Sequence, residues 1–390
     1  MWEGFPTLVV VATITCDPRT LEETLAGRYG PVAIRHRFEW LDRNLVTVAD
    51  ISRAIEYARV QLDNNRAITR TCQMRIRPSR LPSDFGTEDD HIAVYAEVNV
   101  AGEWQRLPLG VFHLDYVAER LLPNGNEIWE AQGVDLSSHL YESEISETFV
   151  LPAGTNYVEA VAAICVSVGL GTNIEPSTYV TPARFVWPPG SSRGNIANDL
   201  LRGINYYPFW ATAQGAIRSR EWLDPYAEPP AVTYSTNEQP KMIRSSGLTR
   251  IRERARFVNR AIVTIADPGR APATVQVTND DQDSIVSTVN KGAVMVQNVV
   301  GDRIVDTAMM AAVGASLVRD AGVKAQGATF QSFPDPRRDA HEFYTLVIDD
   351  REDSTPWRVE SWDYECKPGT AMIHRIARAS RIDVTTEVLV

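Results

Sequence analysis

Apolar and polar positions alternate with a period of two between about Arg35 and Leu140, the pattern of half-buried strands. Ile68, Cys72, Met74 and Ile76 alternate with Thr69, Thr71, Gln73 and Arg75, and Ile92, Val94, Ala96, Val98 and Val100 with Ala93, Tyr95, Glu97 and Asn99. Phe112, Leu114 and Tyr116 alternate with His113 and Asp115 before the turn at Asn124-Gly-Asn, so Leu107–Gly133 is expected to form an antiparallel hairpin. The period lengthens after Pro152. Val158, Val161, Ile164, Cys165 and Val168 make one helix face behind Asn156, with Glu159 placed for a capping box. A second helix is predicted over 194–205, followed by a hairpin turning at Gln214-Gly215. Asp224–Pro230 reads as an extended linker. Strands return over 260–266 and 273–278, at 329–333, 343–348, 357–364 and 371–377, around a helix over 303–321 capped by Asp302.

These elements predict a mainly β chain with an α/β module. Residues 1–150 would form a first β domain, a sandwich or barrel, 151–230 the small α/β domain, and 231–390 a second β domain with a helical excursion at about 302–322. A length of 390 residues exceeds one ordinary core and agrees with such a division. With 44% hydrophobic and 23% charged residues the composition is that of a globular protein. The formal charge of −11 argues against a surface that grips nucleic acid without regard to sequence, since that requires clustered Lys and Arg. Cys16, Cys72, Cys165 and Cys366 form no CxxC pair, so buried reduced thiols are expected. The apolar run Leu8–Ala12 is too short to span a bilayer and no basic residue opens the chain, so neither a secretion signal nor membrane insertion is expected.

Candidate chemistry is sparse. The histidines at 36, 91, 113, 139, 341 and 374 form no HExxH motif, and neither GxSxG nor a phosphate loop is present. His113 and Asp115, two apart on a strand, would share a face as an acid/base pair does, though such pairs are mostly structural. Glu88, Asp89 and Asp90 read as a solvated loop. Asp280, Asp281 and Asp283 resemble a calcium loop but lack its glycine and closing Glu, so no metal is expected there. Trp187 in Trp-Pro-Pro-Gly could be a sugar platform or a core plug, and the plug is favoured. Arg250, Arg252, Arg254 and Arg256 read as a salt-bridged strand edge. No catalytic residue, metal or cofactor is assigned.

The order of several short motifs resembles the tail hub proteins of long-tailed bacteriophages, also called minor tail or baseplate hub proteins. The motifs are Ile68-Thr-Arg-Thr-Cys72, Pro108-Leu-Gly-Val-Phe-His-Leu-Asp115, Gly133-Val-Asp-Leu136, Gly203-Ile-Asn-Tyr-Tyr-Pro208, Val258-Asn-Arg-Ala-Ile-Val263 and Trp357-Arg-Val-Glu-Ser-Trp362 before Pro368–His374. The resemblance spans about residues 35–380. It implies a structural, non-enzymatic homotrimer at the tail tip of the virion, made in the host cytoplasm, with two tube-like β-barrels per chain giving a quasi-sixfold ring. Such a ring joins a hexameric tube to a threefold tip and lets DNA pass without specific binding. Implied partners are the distal tail protein, the tape measure protein and a tail spike or fibre protein. Within that picture Asp280, Asp281 and Asp283 are candidates for a lumen or subunit contact. The alternative is a cell-wall hydrolase using carboxylates such as Asp115 and Glu130, or a carbohydrate-binding tail-tip protein built on Trp187 and Trp210.

Overall fold

The structure is a computed structural model that describes residues 18–26, 32–86, 90–237, 248–252, 257–267, 269–323, 326–348, 351–379 and 382–389. Cys16, the run 8–12, Glu88, Asp89, Arg254 and Arg256 lie outside them.

One open sheet of thirteen strands dominates. Its path runs β14 (Thr249–Arg252), β18 (Gln326–Ser332), β21 (Met372–Arg378), β20 (Arg351–Glu365), β3 (Ile55–Asp63), β4 (Arg70–Ile76), β7 (Glu127–Asp135), β6 (Glu103–Leu121), β5 (His91–Val100), β1 (Ile34–Leu41) and β2 (Thr47–Asp50). Two further strands, β13 (Val232–Ser235) and β19 (Phe343–Ile348), branch from β20. The expectation of two β-barrels is therefore overturned. Among the described residues no ladder returns to close either block; the path ends at β2 and β14, and the blocks are spliced where β20 pairs with β3. The splice has a physical cause in β20, which is long enough to pair with β19 through its first half and with β3 through its last five residues. Arg59 and Asp363 form an ion pair across the join, and Gln61 donates to the same carboxylate at 2.6 Å. A single apolar core then forms under both blocks, from Phe38, Val60, Met74, Val94 and Phe112 to Phe330, Trp357, Trp362 and Tyr364.

The α/β region packs on the other face. It holds α2 (Ser138–Glu142), α3 (Tyr157–Val166) and α4 (Arg193–Gly203), the pair β8 (Phe149–Leu151) and β10 (Phe185–Trp187), and a small sheet of β9 (Thr172–Ile174), β11 (Trp210–Ala211) and β12 (Ile217–Ser219). Helix α3 starts where expected because the Asn156 side chain accepts the N–H groups of Val158 and Glu159, and Ser192 does the same for Asn195 in α4. The core of this region also takes Ala93, Tyr95, Val111 and Leu136 from the large sheet. Strand β5 is thus buried on both faces: Ile92, Val94 and Ala96 point into one core, Ala93 and Tyr95 into the other.

A third layer comprises β15 (Arg260–Ile265), β16 (Ala273–Asn279), β17 (Val296–Val300) and β22 (Val384–Leu389) under α6 (Thr307–Val323). The helices α1 (Pro18–Leu25) and α5 (Thr288–Lys291) are peripheral. Helix α6 begins later than expected because Asp306, not Asp302, caps it: its carboxylate accepts Met309 N–H at 2.7 Å, whereas Asp302 accepts the N–H groups of Ala266 and Asp267. The guanidinium of Arg70, 1% exposed, fastens layers together by donating to the carbonyls of Leu109 and Ala211 and to Asp339 at 2.6 Å.

Candidate functional site

The acidic turn after β16 carries Asp280, Asp281 and Asp283. Asp280 accepts the Thr385 hydroxyl at 2.8 Å, and Asp281 accepts the N–H groups of Asp283 at 2.8 Å and Asp383 at 3.3 Å. Asp280 therefore ties the turn to β22 and Asp281 ties it to the residue just before that strand, while Asp283 stands exposed at its tip. Asp90, the described member of the other acidic run, is buried and caps the Gly86 N–H at 2.6 Å.

His113 and Asp115 are not brought together as a pair. Pairing shifts between Leu114 and Tyr116, which leaves Asp115 as the extra, exposed residue of a bulge and breaks the alternation that the sharing of a face required. His113 instead faces two other histidines. It lies directly opposite His91 across the β5–β6 ladder, and His139 on α2 completes a triangle with ring centroids 5.6–5.8 Å apart. Counting back from the tight turn at Ala101-Gly102 would set His91 against Phe112. The bulge at Leu109, beside Pro108 with its missing N–H, advances the register by one and delivers His113. That proline was the signal in the sequence. His91 is pushed down to about 4, chiefly by burial and then by the two neighbouring rings, against a backbone hydrogen bond with Asp42, and His139 is lowered by burial and then by His113, so His91 is a neutral imidazole at neutral pH.

A cleft of about 620 Å³ lies between the α4 end and α6, lined by Asn198, Arg202, Tyr207, Trp222, Gln297 and Asp320 among others. Its one buried-side carboxylate is already engaged: Asp320 pairs with Arg358 at 2.8 Å and accepts the Trp222 indole at 3.3 Å. Among the described residues lining the cleft no unpaired carboxylate remains. The proposed sugar platform also disappears, since Trp187 is 6% and Trp210 1% exposed, the first hydrogen-bonded to Asp199 and covered by Arg303. Glu130 is exposed beside Arg75 and Arg120.

No protein-family model matches the chain, and no curated protein matches its sequence. Solved structures do. The tail protein of Neisseria meningitidis MC58 superposes with a TM-score of 0.57 at 11% identity, covering 88% of this chain and 96% of that one. The 43 kDa tail protein of prophage MuSo2 from Shewanella oneidensis gives 0.58 at 9% identity over 88% and 98%. The chain has the fold of phage tail proteins. The chain is also similar to the Francisella PdpA-VgrG complex, with a TM-score of 0.50 at 7% identity over 89% of this chain and 58% of the other. Identities this low carry the fold and no correspondence of individual residues. Among the described residues no helix is long and apolar enough to cross a membrane.

Proposed function

We propose that the chain is a structural, non-catalytic hub subunit of a phage tail, three copies of which form a ring between a sixfold tube and a threefold tip. The observation that carries this reading is the match in fold to two tail proteins over nearly their whole length. The spliced sheet supplies the geometry. Each chain presents two adjacent strand sets, one centred on β4–β7 and one on β20–β21, so three chains present six such sets without any closed barrel within a chain. In this reading residues 1–150, 151–230 and 231–390 are the assembling units, and the protein is made in the host cytoplasm and built into the virion tail tip. The distal tail protein, the tape measure protein and a spike or fibre protein are its neighbours.

DNA carries about one negative charge per 1.7 Å of duplex axis, so an acidic bore lets it slide. The exposed tip of the acidic turn, Asp283 with Asp280 and Asp281 behind it, faces the lumen or a subunit contact. Electron cryomicroscopy of particles carrying this chain tests the reading: three copies around the axis at the end of the tail tube are expected. Any other copy number, or a position away from the tube end, overturns it.

A further inference from the structure

Three imidazoles converge where the large sheet meets the α/β region. His91 begins β5, His113 lies opposite it on β6, and His139 sits on α2, immediately beyond the end of β7 that pairs with His113 through Val134. One ring nitrogen from each lies within 4.8 Å of the others. Among the described residues this is the one cluster of three potential metal ligands. His91 is 4% exposed; the backbone of Asp42 lies within reach of one of its nitrogens, and the other has no partner, while Nδ1 of His113 is buried and unpartnered as well. Buried polar nitrogens are normally satisfied, so a cluster with two left unpaired, one on His91 and one on His113, points to a missing occupant.

The occupant must accept electron pairs from imidazole nitrogens and fit between the three rings. A water could pair with some of these nitrogens, but it does not explain why three histidines converge there. Imidazole is the ligand type that first-row divalent cations favour, and three such ligands plus solvent is a common tetrahedral zinc set. We propose that His91, His113 and His139 bind one Zn²⁺-class divalent cation, with water in the fourth position. Zinc–nitrogen bonds of about 2.0–2.1 Å in a tetrahedron set the nitrogens roughly 3.3 Å apart, so binding draws the rings inward from their present spacing. The half-buried rings of His113 and His139 provide the way in from solvent. An open fourth position is otherwise the pattern of catalytic zinc, so the role of this ion follows from the elements it joins. It ties the β5–β6 hairpin to α2 and so clasps the large sheet to the α/β region at their shared edge.

Metal-stripped full-length protein titrated with Zn²⁺ in a calorimeter should take up one equivalent per chain, and Co²⁺ should give the intense visible bands of a tetrahedral site. His113→Gln and His139→Gln, each shown to be folded by circular dichroism, should weaken Zn²⁺ binding at least tenfold, since even outer partners of metal ligands are worth about 10–100-fold. His36→Gln, whose ring contacts Tyr364 elsewhere, should leave uptake unchanged. Lack of stoichiometric uptake by the wild-type chain overturns the proposal, as does uptake that persists in both folded variants. Should the variants not fold, a Zn²⁺-soaked crystal measured at the zinc absorption edge decides: anomalous density among the three rings supports the site, and its absence there overturns it.

Discussion

Several side chains of this molecule are buried in protonation states that acid would change. His374 is fully buried, stacked on Phe330 at 4.8 Å with Nε2 against the Ser332 hydroxyl at 2.9 Å, and burial followed by the nearby Arg338 pushes it down to about 3, with Asp335 opposing. His341, stacked on Tyr207 at 4.3 Å and facing Arg358 and Arg220, is likewise pushed down to about 3. Both values lie below the ordinary 6.5, so the unfolded chain takes up these protons first, and stability falls as pH drops from 6.5 towards 3. Glu342 works in the opposite sense. Burial raises it to about 7 despite Arg338, so between its ordinary 4.5 and 7 the folded state binds the proton and acid favours folding. Each group is worth about 1.4 kcal/mol per pH unit, so two histidines outweigh one carboxyl by on the order of 1–3 kcal/mol at pH 5 and by more at pH 4. Urea denaturation at pH 7, 5 and 4 should show this decline, and Glu342→Gln should make it steeper. Stability that held constant or rose down to pH 4 would contradict the assignment.

Among the elements, the helices and most strands were legible because each follows from a local rule. The Asn156 cap, the 3.6-residue stripe of α3 and the turn at Gly215, which has φ of +86°, need only neighbouring residues to be read. What was not legible is how elements touch. The C-terminal end of α4 meets the loop before α6 at Gly203, whose N–H to O=C neighbours look like any helix end. A Cβ there would overlap the Arg303 carbonyl oxygen and come within 2.8 Å of the Tyr157 ring. The same contact is fixed by the Tyr157 hydroxyl donating to Arg303 O at 2.7 Å and Val305 N–H donating to Gly203 O at 3.2 Å. Gly203→Ala should therefore destabilise by about 1–3 kcal/mol through overpacking, although alanine is worth up to about 1 kcal/mol more than glycine inside a helix. Denaturation midpoints measure the loss, and faster amide exchange at 303–305 would place it at the α4–α6 junction. An unchanged or raised midpoint would mean that the backbone yields there without cost. The histidine cluster was hidden for a related reason: it depends on one bulge at Leu109, which alternation alone does not reveal.

For the whole molecule, the expectation that failed was closure of each β block on itself. Alternation says that a strand has one inward face but not which strand it lies beside, and β3 and β20 are separated by about three quarters of the chain. The two blocks share Trp362, 1% exposed, which is paired with Leu62 on one side and His374 on the other and packs in a core drawn from both. A shared core has a thermodynamic consequence: neither block can open without uncovering apolar surface of the other, so they should unfold together. Trp362→Ala should cost about 3–5 kcal/mol. It should also speed amide exchange at Val60 and Leu62 of β3 as well as along β20 and β21, because the cavity adjoins both. Exchange that rose only in β18–β21, with β3 and β4 as protected as before, would show two independent cores and remove the physical basis for treating the spliced sheet as one rigid wall of the ring.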